Sequence, residues 1–316
     1  MNKVKVILAC LSLCVIGCAD SLTELEALPT EGAKDREIKM EWDRTTDSEL
    51  NQLTVFLFNK GESQPFITRF FDENELQVGM VDFSLPVDYT SAEYEIFGIA
   101  NLDCRHIKER YDLYRLQENK LIRYHSDHYA TAIAKKQPDG GFLYTCNEQV
   151  KFSDKPLRLT LERTVARLEI TVEMMPGMEE TLGATLQVDS FCVEGLTTRM
   201  FLFDKPSGGW RDGFLNQQAD KHCKGLFYLY PSLPGEPLPR VKLWCSYEIG
   251  LAGMGIYQKI CYPLTLDGSM TESGKKAILA NKRYRLLVQV NGAGIGDLSL
   301  KLEIDDWTEQ NQDQEF

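Results

Sequence analysis

Short alternations of apolar and polar residues dominate the chain from residue 37 onwards, and they predict β-strands. Ile38, Met40 and Trp42 alternate with polar neighbours, whereas Leu53–Phe58 is apolar on both faces, as expected of a strand buried between two layers. The same reasoning predicts further strands at 66–71, 78–85, 94–100, 186–193, 226–230, 241–249, 260–266, 284–290 and 298–304. Many short strands at near-regular spacing are typical of an all-β sandwich or barrel class rather than of an α/β fold.

The alternation changes parity within Glu162–Val165. The apolar positions from 157 to 161 are odd-numbered leucines, whereas those of Ala166–Met174 are even-numbered. One flat strand cannot change parity, because its apolar face would turn to water. The segment therefore contains a bulge, a change of sheet or a domain junction. We place the domain boundary here, which divides the folded part into 37–162 and 163–316.

One segment favours a helix. Cys104–Leu116 has Asp103 in position to be its N-cap and carries Ile107, Tyr111 and Tyr114 on one face. The following residues, 117–141, are polar and irregular, so they predict a long loop. We therefore expect a short helix in the first domain.

The N-terminus has the pattern of a secretory signal peptide over residues 1–17. Lys3 and Lys5 form a basic start, and Val6–Ile16 is an apolar run that is too short for a permanent membrane helix, which needs about 20 residues. The run ends in the tetrapeptide Val-Ile-Gly-Cys, which resembles the bacterial lipobox and makes Cys18 the expected lipidation site. Acyl chains on a cysteine hold a protein durably at a membrane. The alternative is an ordinary cleaved signal with a chance cysteine.

Residues 18–36 show no hydrophobic periodicity, and we expect them to be a tether between the lipid and the folded part. The mature chain is also acidic. The formal net charge is −12 and removing the signal peptide takes away two lysines and no acid, so nucleic acid is excluded as a partner. A hydrophobic fraction of 43% is enough for packed cores and too high for disorder.

Nine cysteines occur, of which Cys10 and Cys14 leave with the signal peptide and Cys18 would carry lipid. Six remain, an even number that permits three disulfides in an exported protein without fixing their pattern, or several buried thiols instead. These six are Cys104, Cys146, Cys192, Cys223, Cys245 and Cys261.

The sequence shows no catalytic, cofactor or metal motif. It lacks the phosphate-binding, zinc-protease and serine-hydrolase patterns, and Gly292–Gly296 misses the dinucleotide-binding spacing and is expected to be a turn. His125 and His128 lie in a polar stretch with no third ligand near in sequence, so we expect a solvated loop there. Carboxylates are abundant, and a hydrolase would need them clustered in a cleft. We predict no enzyme activity and no cofactor.

Several segments resemble the fimbrillin superfamily of Bacteroidota lipoproteins, the subunits of type V pili, and their order and spacing carry the resemblance. Besides the lipobox, they are Leu53–Phe58, Tyr94–Leu102 with its Ala-Asn turn, Arg163–Ile170, Leu279–Tyr284 and Ile304–Trp307. The resemblance covers most of residues 50 to 307. It implies two tandem transthyretin-like β-sandwich domains.

The resemblance also implies assembly by strand exchange. In this family an Arg-specific protease removes an N-terminal strand, and the C-terminal strand of a neighbouring subunit fills the groove by β-augmentation. Arg36 and Arg44 flank the predicted strand Glu37–Trp42 and are the candidate processing sites, although both are compatible with ordinary surface arginines. The tail after Trp307 is polar, which departs from a donor strand and suits an anchor or accessory subunit.

The resulting hypothesis is a structural fimbrial subunit for cell adhesion, of anchor or accessory type, at the outer membrane and cell surface. Its partners would be other fimbrial subunits and, through Cys18, the membrane. The alternative is a non-polymerising surface lipoprotein that binds a glycan or a host ligand. The sequence leaves open the adhesion ligand, the disulfide pattern and the choice between Arg36 and Arg44.

Overall fold

Strands make up nearly all of the regular structure, as the alternation predicted. The computed structural model describes residues 36–41, 50–76, 80–85, 93–118, 141–151, 157–178, 184–197, 200–203, 213–251, 254–291 and 298–307. Ile38–Phe83 and Thr90–Phe316 form one compact unit, while Met1–Glu37 and Ser84–Tyr89 form a second, of which only four residues are described. Two short helices occur among the described residues, α1 (Glu73–Leu76) and α2 (Arg110–Arg115).

The strands, numbered in chain order, form a five-stranded and a three-stranded sheet in the first half of the chain. A five-stranded antiparallel sheet has the order β3-β2-β5-β7-β9, and a three-stranded sheet has the order β4-β1-β8. Their bounds are β1 Arg36–Glu41, β2 Gln52–Asn59, β3 Ile67–Asp72, β4 Met80–Leu85, β5 Glu93–Ala100, β7 Tyr144–Lys151, β8 Leu157–Arg158 and β9 Glu162–Arg163. A two-residue strand β6 (Gln117–Glu118) pairs with β12 (Met200–Phe201) from the second half.

Two four-stranded sheets follow, ordered β14-β10-β19-β20 and β13-β11-β15-β16. Their bounds are β10 Ala166–Met174, β11 Ala184–Leu196, β13 Gly213–Gln218, β14 Lys224–Leu229, β15 Arg240–Leu251, β16 Met254–Thr265, β19 Lys282–Val290 and β20 Leu298–Asp306. Gly225 of the first sheet lies against the Phe191 ring of the second, so these sheets pack face to face. The small pair β17 (Ser269–Met270) and β18 (Lys276–Ala277) completes the described strands.

Burial follows the predicted patterns in the strands that carry the cores. Leu53–Phe58 is buried on both faces, as its continuous apolar run predicted. The Phe97 ring of β5 contacts Tyr114 of α2 and Phe203 near β12, so one face of the five-stranded sheet is covered by α2 and by residues from the second half. In β10 the even positions are buried from residue 166 to 172, in agreement with the parity of that segment.

The chain changes sheet where the parity changes. β9 ends at Arg163 in the five-stranded sheet, and β10 starts at Ala166 in a four-stranded one. Between them the N–H of Thr164 donates to the Leu143 carbonyl at 3.0 Å, and the Val165 carbonyl accepts from the N–H of Asn281 at 3.0 Å. Of the three alternatives that the parity change left open, the structure shows a change of sheet. The division into domains 37–162 and 163–316 stays a prediction.

The helix is shorter than predicted. It begins at Arg110 rather than near Cys104, so its N-cap position is Glu109 and not Asp103, whose carboxylate accepts the N–H of Arg105 at 3.1 Å outside the helix. The backbone N–H of Arg110 is held by the Ser63 carbonyl at 2.7 Å, so contacts to another element determine where the helix starts. Tyr111 is 62% exposed, contrary to the predicted apolar face. Of the predicted loop 117–141, all but 117, 118 and 141 lie outside the described residues.

Candidate functional site

The strand predicted to be exchangeable lies in the middle of a sheet. β1 has β4 on one side and β8 on the other. It runs parallel to β8, with Met40 opposite Leu157 and Glu41 opposite Arg158. A strand with neighbours on both sides hydrogen-bonds along both of its edges, so its removal would leave two unpaired edges facing one strand-wide gap.

Only one of the predicted processing residues falls in the described part of the chain. Arg36 is the first residue of β1, so a cut after it would keep almost the whole strand. Arg44 and the lipidation residue Cys18 lie outside the described residues, as do the tether and the polar tail after Trp307.

A buried arginine joins the sheet change to the end of β20. Arg163 is 2% exposed, and its Nη1 donates to the Trp307 carbonyl at 2.7 Å and to Asn281 Oδ1 at 3.3 Å. Its guanidinium carbon lies 4.3 Å from the centre of the Trp307 ring, within cation–π range. Arg163 therefore holds the last described residue of the chain against the first residues of its second half.

Aromatic rings complete this cluster. The Trp307 indole stacks on Tyr228 at 5.8 Å and meets the edge of Phe142 at 4.9 Å. Trp307 is 2% exposed, and burial raises the pKa of the Tyr228 hydroxyl. The rings come from three separate parts of the chain, so the cluster forms only in the complete fold.

Ion pairs extend the cluster along the sheet. Glu169 forms an ion pair with Arg167 at 2.5 Å, and it accepts hydrogen bonds from both Nε and Nη2 of Arg283, at 3.0 and 2.7 Å. The Arg283 contact is a largely buried two-point pair. Two parallel hydrogen bonds give arginine–carboxylate pairs their directional strength. These contacts connect β10 with its parallel neighbour β19.

Four of the segments that carry the family resemblance meet at or beside this cluster. Arg163, Asn281 and Trp307 come from three of them, and Asn101 from a fourth lies close to it, because its Nδ2 donates to the carbonyl of Phe142 at 2.7 Å. Asn101 and Asn281 both adopt the left-handed conformation, with φ of 62° and 55°, which asparagine tolerates better than most residues. Each Ala-Asn pair thus lies at a strand boundary, the first at the end of β5 and the second before β19.

The six remaining cysteines are free thiols in this structure, which favours the buried-thiol alternative for at least three of them. Cys104, Cys146 and Cys245 are buried, and the loss of solvation raises the pKa of each to about 12. The reactive species is the thiolate, so burial makes these three inert.

We expect iodoacetamide at pH 8 to label Cys104, Cys146 and Cys245 only after unfolding in urea, as read by mass spectrometry of digests. Labelling of any of the three at the same rate in the native chain would contradict the burial. Because each pKa is raised in the folded chain, the unfolded chain loses these protons first as the pH rises. Folding stability should therefore fall above the ordinary pKa of 9.0.

A cavity of about 440 Å³ opens beside β7, and the sequence analysis did not predict it. Glu148 and Glu162 line it together with Leu202 and Phe203. Leu202 and Phe203 reach it from the second half of the chain, and no sequence period signals such a contact.

Candidate metal ligands are not brought together in the described part of the chain. No group of three or more His, Cys, Asp or Glu side chains there could hold a metal ion. His106 and His222 are exposed, while His125, His128 and Gly292–Gly296 lie outside the described residues. None of the described helices is both long and apolar enough to span a membrane.

Comparison of the sequence with protein-family models and with curated proteins gives no match. Comparison of the structure with solved structures does find similar proteins. A candidate cell-adhesion protein from Parabacteroides distasonis is similar with a TM-score of 0.58 at 8% identity, over 87% of this chain and 97% of that one. A candidate cell-adhesion protein from Bacteroides eggerthii gives a TM-score of 0.54 at 12% identity, over 87% and 96%.

The third similar structure is the tip fimbrial protein Mfa3 from Porphyromonas gingivalis with a C-terminal truncation. Its TM-score is 0.56 at 12% identity, over 86% of this chain and 100% of that one. At such identities the similarity shows the fold. The chain therefore has the fold of Bacteroidota cell-adhesion and fimbrial proteins, in agreement with its resemblance to the fimbrillin superfamily.

Proposed function

We propose that this chain is a structural fimbrial subunit that joins other subunits by β-strand exchange. The observation that carries the proposal is the position of β1 between β4 and β8. Loss of an edge strand would leave a sheet largely intact, whereas loss of a central strand opens a gap that only another extended strand can fill. The fold shared with a tip fimbrial protein supports the same role.

In this proposal the subunit is of anchor or accessory type. Lipid on Cys18 holds it at the outer membrane, and the role is structural, without catalysis or cofactor. A cut after Arg44 would release β1 together with the lipid, whereas a cut after Arg36 would release the tether and leave β1 in place. An anchor stays uncut and acylated and keeps β1, whereas a subunit that accepts a neighbour's strand in place of β1 must be cut after Arg44. The state of these two bonds therefore distinguishes an anchor from a polymerising subunit.

Strand exchange is tested on the full chain carrying Cys18→Ser, treated with an Arg-specific protease. We expect cleavage after Arg44 to create a site for a fluorescent peptide with the sequence of residues 36–42, measured by fluorescence anisotropy. Arg44→Gln should block both cleavage and peptide binding, while the matched variant Arg36→Gln should retain both. Equal binding to cut and uncut chains would disprove an exchangeable β1.

The anchor role is tested by intact mass and N-terminal mapping of the native protein from envelopes and from sheared pili. An acylated Cys18 in the envelope, beside associated pilus subunits, is the expected result. A new N-terminus after Arg36 or Arg44 in sheared pili would instead make the chain a polymerising stalk subunit and would overturn the anchor type.

One observation favours the second candidate function, a non-polymerising surface lipoprotein that binds a glycan. Phe214 and Trp244 are 64% and 45% exposed, although both lie within strands of one sheet. Exposed rings beside polar groups suit sugar rings, which present both apolar and polar faces. This candidate would replace the fimbrial one if the acylated protein never accompanies pili and its cut form binds no strand.

A further inference from the structure

The outer edge of β20 is open. β20 is the last strand in the order β14-β10-β19-β20, and no strand of the described residues pairs with its other side. The N–H of Trp307 donates to the Asn281 carbonyl at 3.1 Å, so this pair belongs to the hydrogen-bonded class of the antiparallel ladder. Because the classes alternate, Leu300, Leu302 and Ile304 direct their backbone N–H and C=O groups away from β19, towards the open edge.

The same three residues form an incompletely covered apolar strip. They lie opposite Val288, Leu286 and Tyr284, which are at most 5% exposed. Leu300 nevertheless remains 48% exposed, while Leu302 and Ile304 are half-buried. An open edge with apolar side chains beside it is a surface prepared for another strand.

The charges on the opposite face of β20 are self-complementary. Lys301 and Glu303 flank Leu302, and they form an ion pair of 2.8 Å within the strand. Reversing the direction of Leu-Lys-Leu-Glu-Ile therefore places apolar residues on apolar residues and Lys on Glu.

We propose that β20 pairs antiparallel with β20 of a second copy of this chain, about a two-fold axis at Leu302. Leu302 then faces its own copy, and Leu300 faces Ile304 of the partner subunit, both as hydrogen-bonded pairs. Lys301 faces Glu303 of the partner subunit twice, as non-hydrogen-bonded pairs, in which side chains approach most closely. The contact is isologous and closes after two copies.

Other registers bring like charges together. Two residues can face each other across the new ladder only if both direct their backbone N–H and C=O groups towards the partner or both direct them away. Because this direction alternates along β20, the two-fold axis must pass through a residue and not between two residues. An axis at Lys301 would place lysine against lysine, and an axis at Glu303 would place glutamate against glutamate. An axis at Ile304 would place Glu303 against Asp305 of the partner subunit. Among the pairs that the described residues of β20 can form, only the axis at Leu302 gives two opposite-charge pairs and no like-charge pair between close neighbours.

This pairing is independent of β1 and of the proposed fimbrial role. We expect the full chain carrying Cys18→Ser to dimerise in sedimentation velocity. Lys301→Glu or Glu303→Lys alone converts both attractive pairs to repulsive ones and should weaken the dimer about tenfold. The double variant Lys301→Glu/Glu303→Lys restores opposite charges and should restore dimerisation. Circular dichroism and thermal melting check that every variant folds.

Register is tested by disulfide trapping under mild oxidation. In the proposed dimer, residues 301 and 303 of opposite copies have Cα atoms about 4.5 Å apart, within disulfide range. Mixing a Lys301→Cys chain with a size-tagged Glu303→Cys chain should yield a disulfide-linked heterodimer on non-reducing gels.

Each cysteine variant alone should give no dimer above the parent chain, because equal positions lie about 7–8 Å apart. A monomer at submillimolar concentration, or a dimer that is unchanged by the single charge reversals, would overturn the proposal. So would trapping of Lys301→Cys with itself.

Discussion

Replacing Arg163 by alanine is expected to lower the free energy of unfolding by about 3 kcal/mol, among the largest effects of any single change in this chain. The side chain is 2% exposed and donates at 2.7 Å to the carbonyl of Trp307. Alanine would leave that carbonyl without its charged donor and would remove the cation from the indole face. It would also open a cavity among the rings of Phe142, Tyr144 and Trp307.

The measurement is urea unfolding of the Cys18→Ser chain with and without Arg163→Ala. Arg105→Ala is the matched control, because Arg105 also lies 4.5 Å over a ring, that of Phe70, but is exposed. Exposed pairs contribute little, so we expect a change within about 0.5 kcal/mol for the control. Similar losses in both variants would show that burial of Arg163 does not determine its contribution.

Arg163 also shows what the sequence could and could not reveal about the site. The parity change marked the segment, because side-chain alternation is a local property of about ten residues. The partner was not predictable in this way, since Trp307 lies 144 residues away and no period connects the two. The family resemblance placed both segments in order along the chain, and only the fold shows that they touch.

The secondary-structure elements also divide into those that the sequence could predict and those that it could not. Strands such as β10 and β19 were predictable because one face of each is buried and the period of two is preserved. The helix boundary was wrong because Arg110 is fixed by the turn after β2, a contact that local propensity does not contain. The central position of β1 was likewise not predictable, because the alternation at 157–161 predicts a strand there but does not indicate that it pairs with β1, and the paired part, β8, has only two residues.

Gly98 is a second position whose importance appears only in the fold. It lies in β5 directly opposite Cys146 of β7, and a Cβ atom at residue 98 would come within 2.6 Å of the Cys146 sulfur. Its backbone is not in the left-handed region, so close packing is the reason for glycine here. In a strand with both faces buried, neither neighbour has room to retreat.

Gly98→Ala is therefore expected to destabilise the fold by about 2 kcal/mol, although alanine is the better strand former. Cys146→Ala alone should cost about 1 kcal/mol, since it removes one buried sulfur. In the double variant the added methyl group occupies space vacated by that sulfur. Urea unfolding of the four chains should then show a loss smaller than the sum of the single losses, by about 1 kcal/mol or more.

Additive losses would contradict this account, because they would mean that the new methyl group meets something other than the Cys146 sulfur. The candidates are the Leu161 and Leu53 side chains, at 3.6 and 3.8 Å, which are ordinary contact distances. Their positions predict almost no clash. The sign of the coupling between residues 98 and 146 thus tests the packing of the five-stranded sheet next to the point where the chain leaves it for its second half.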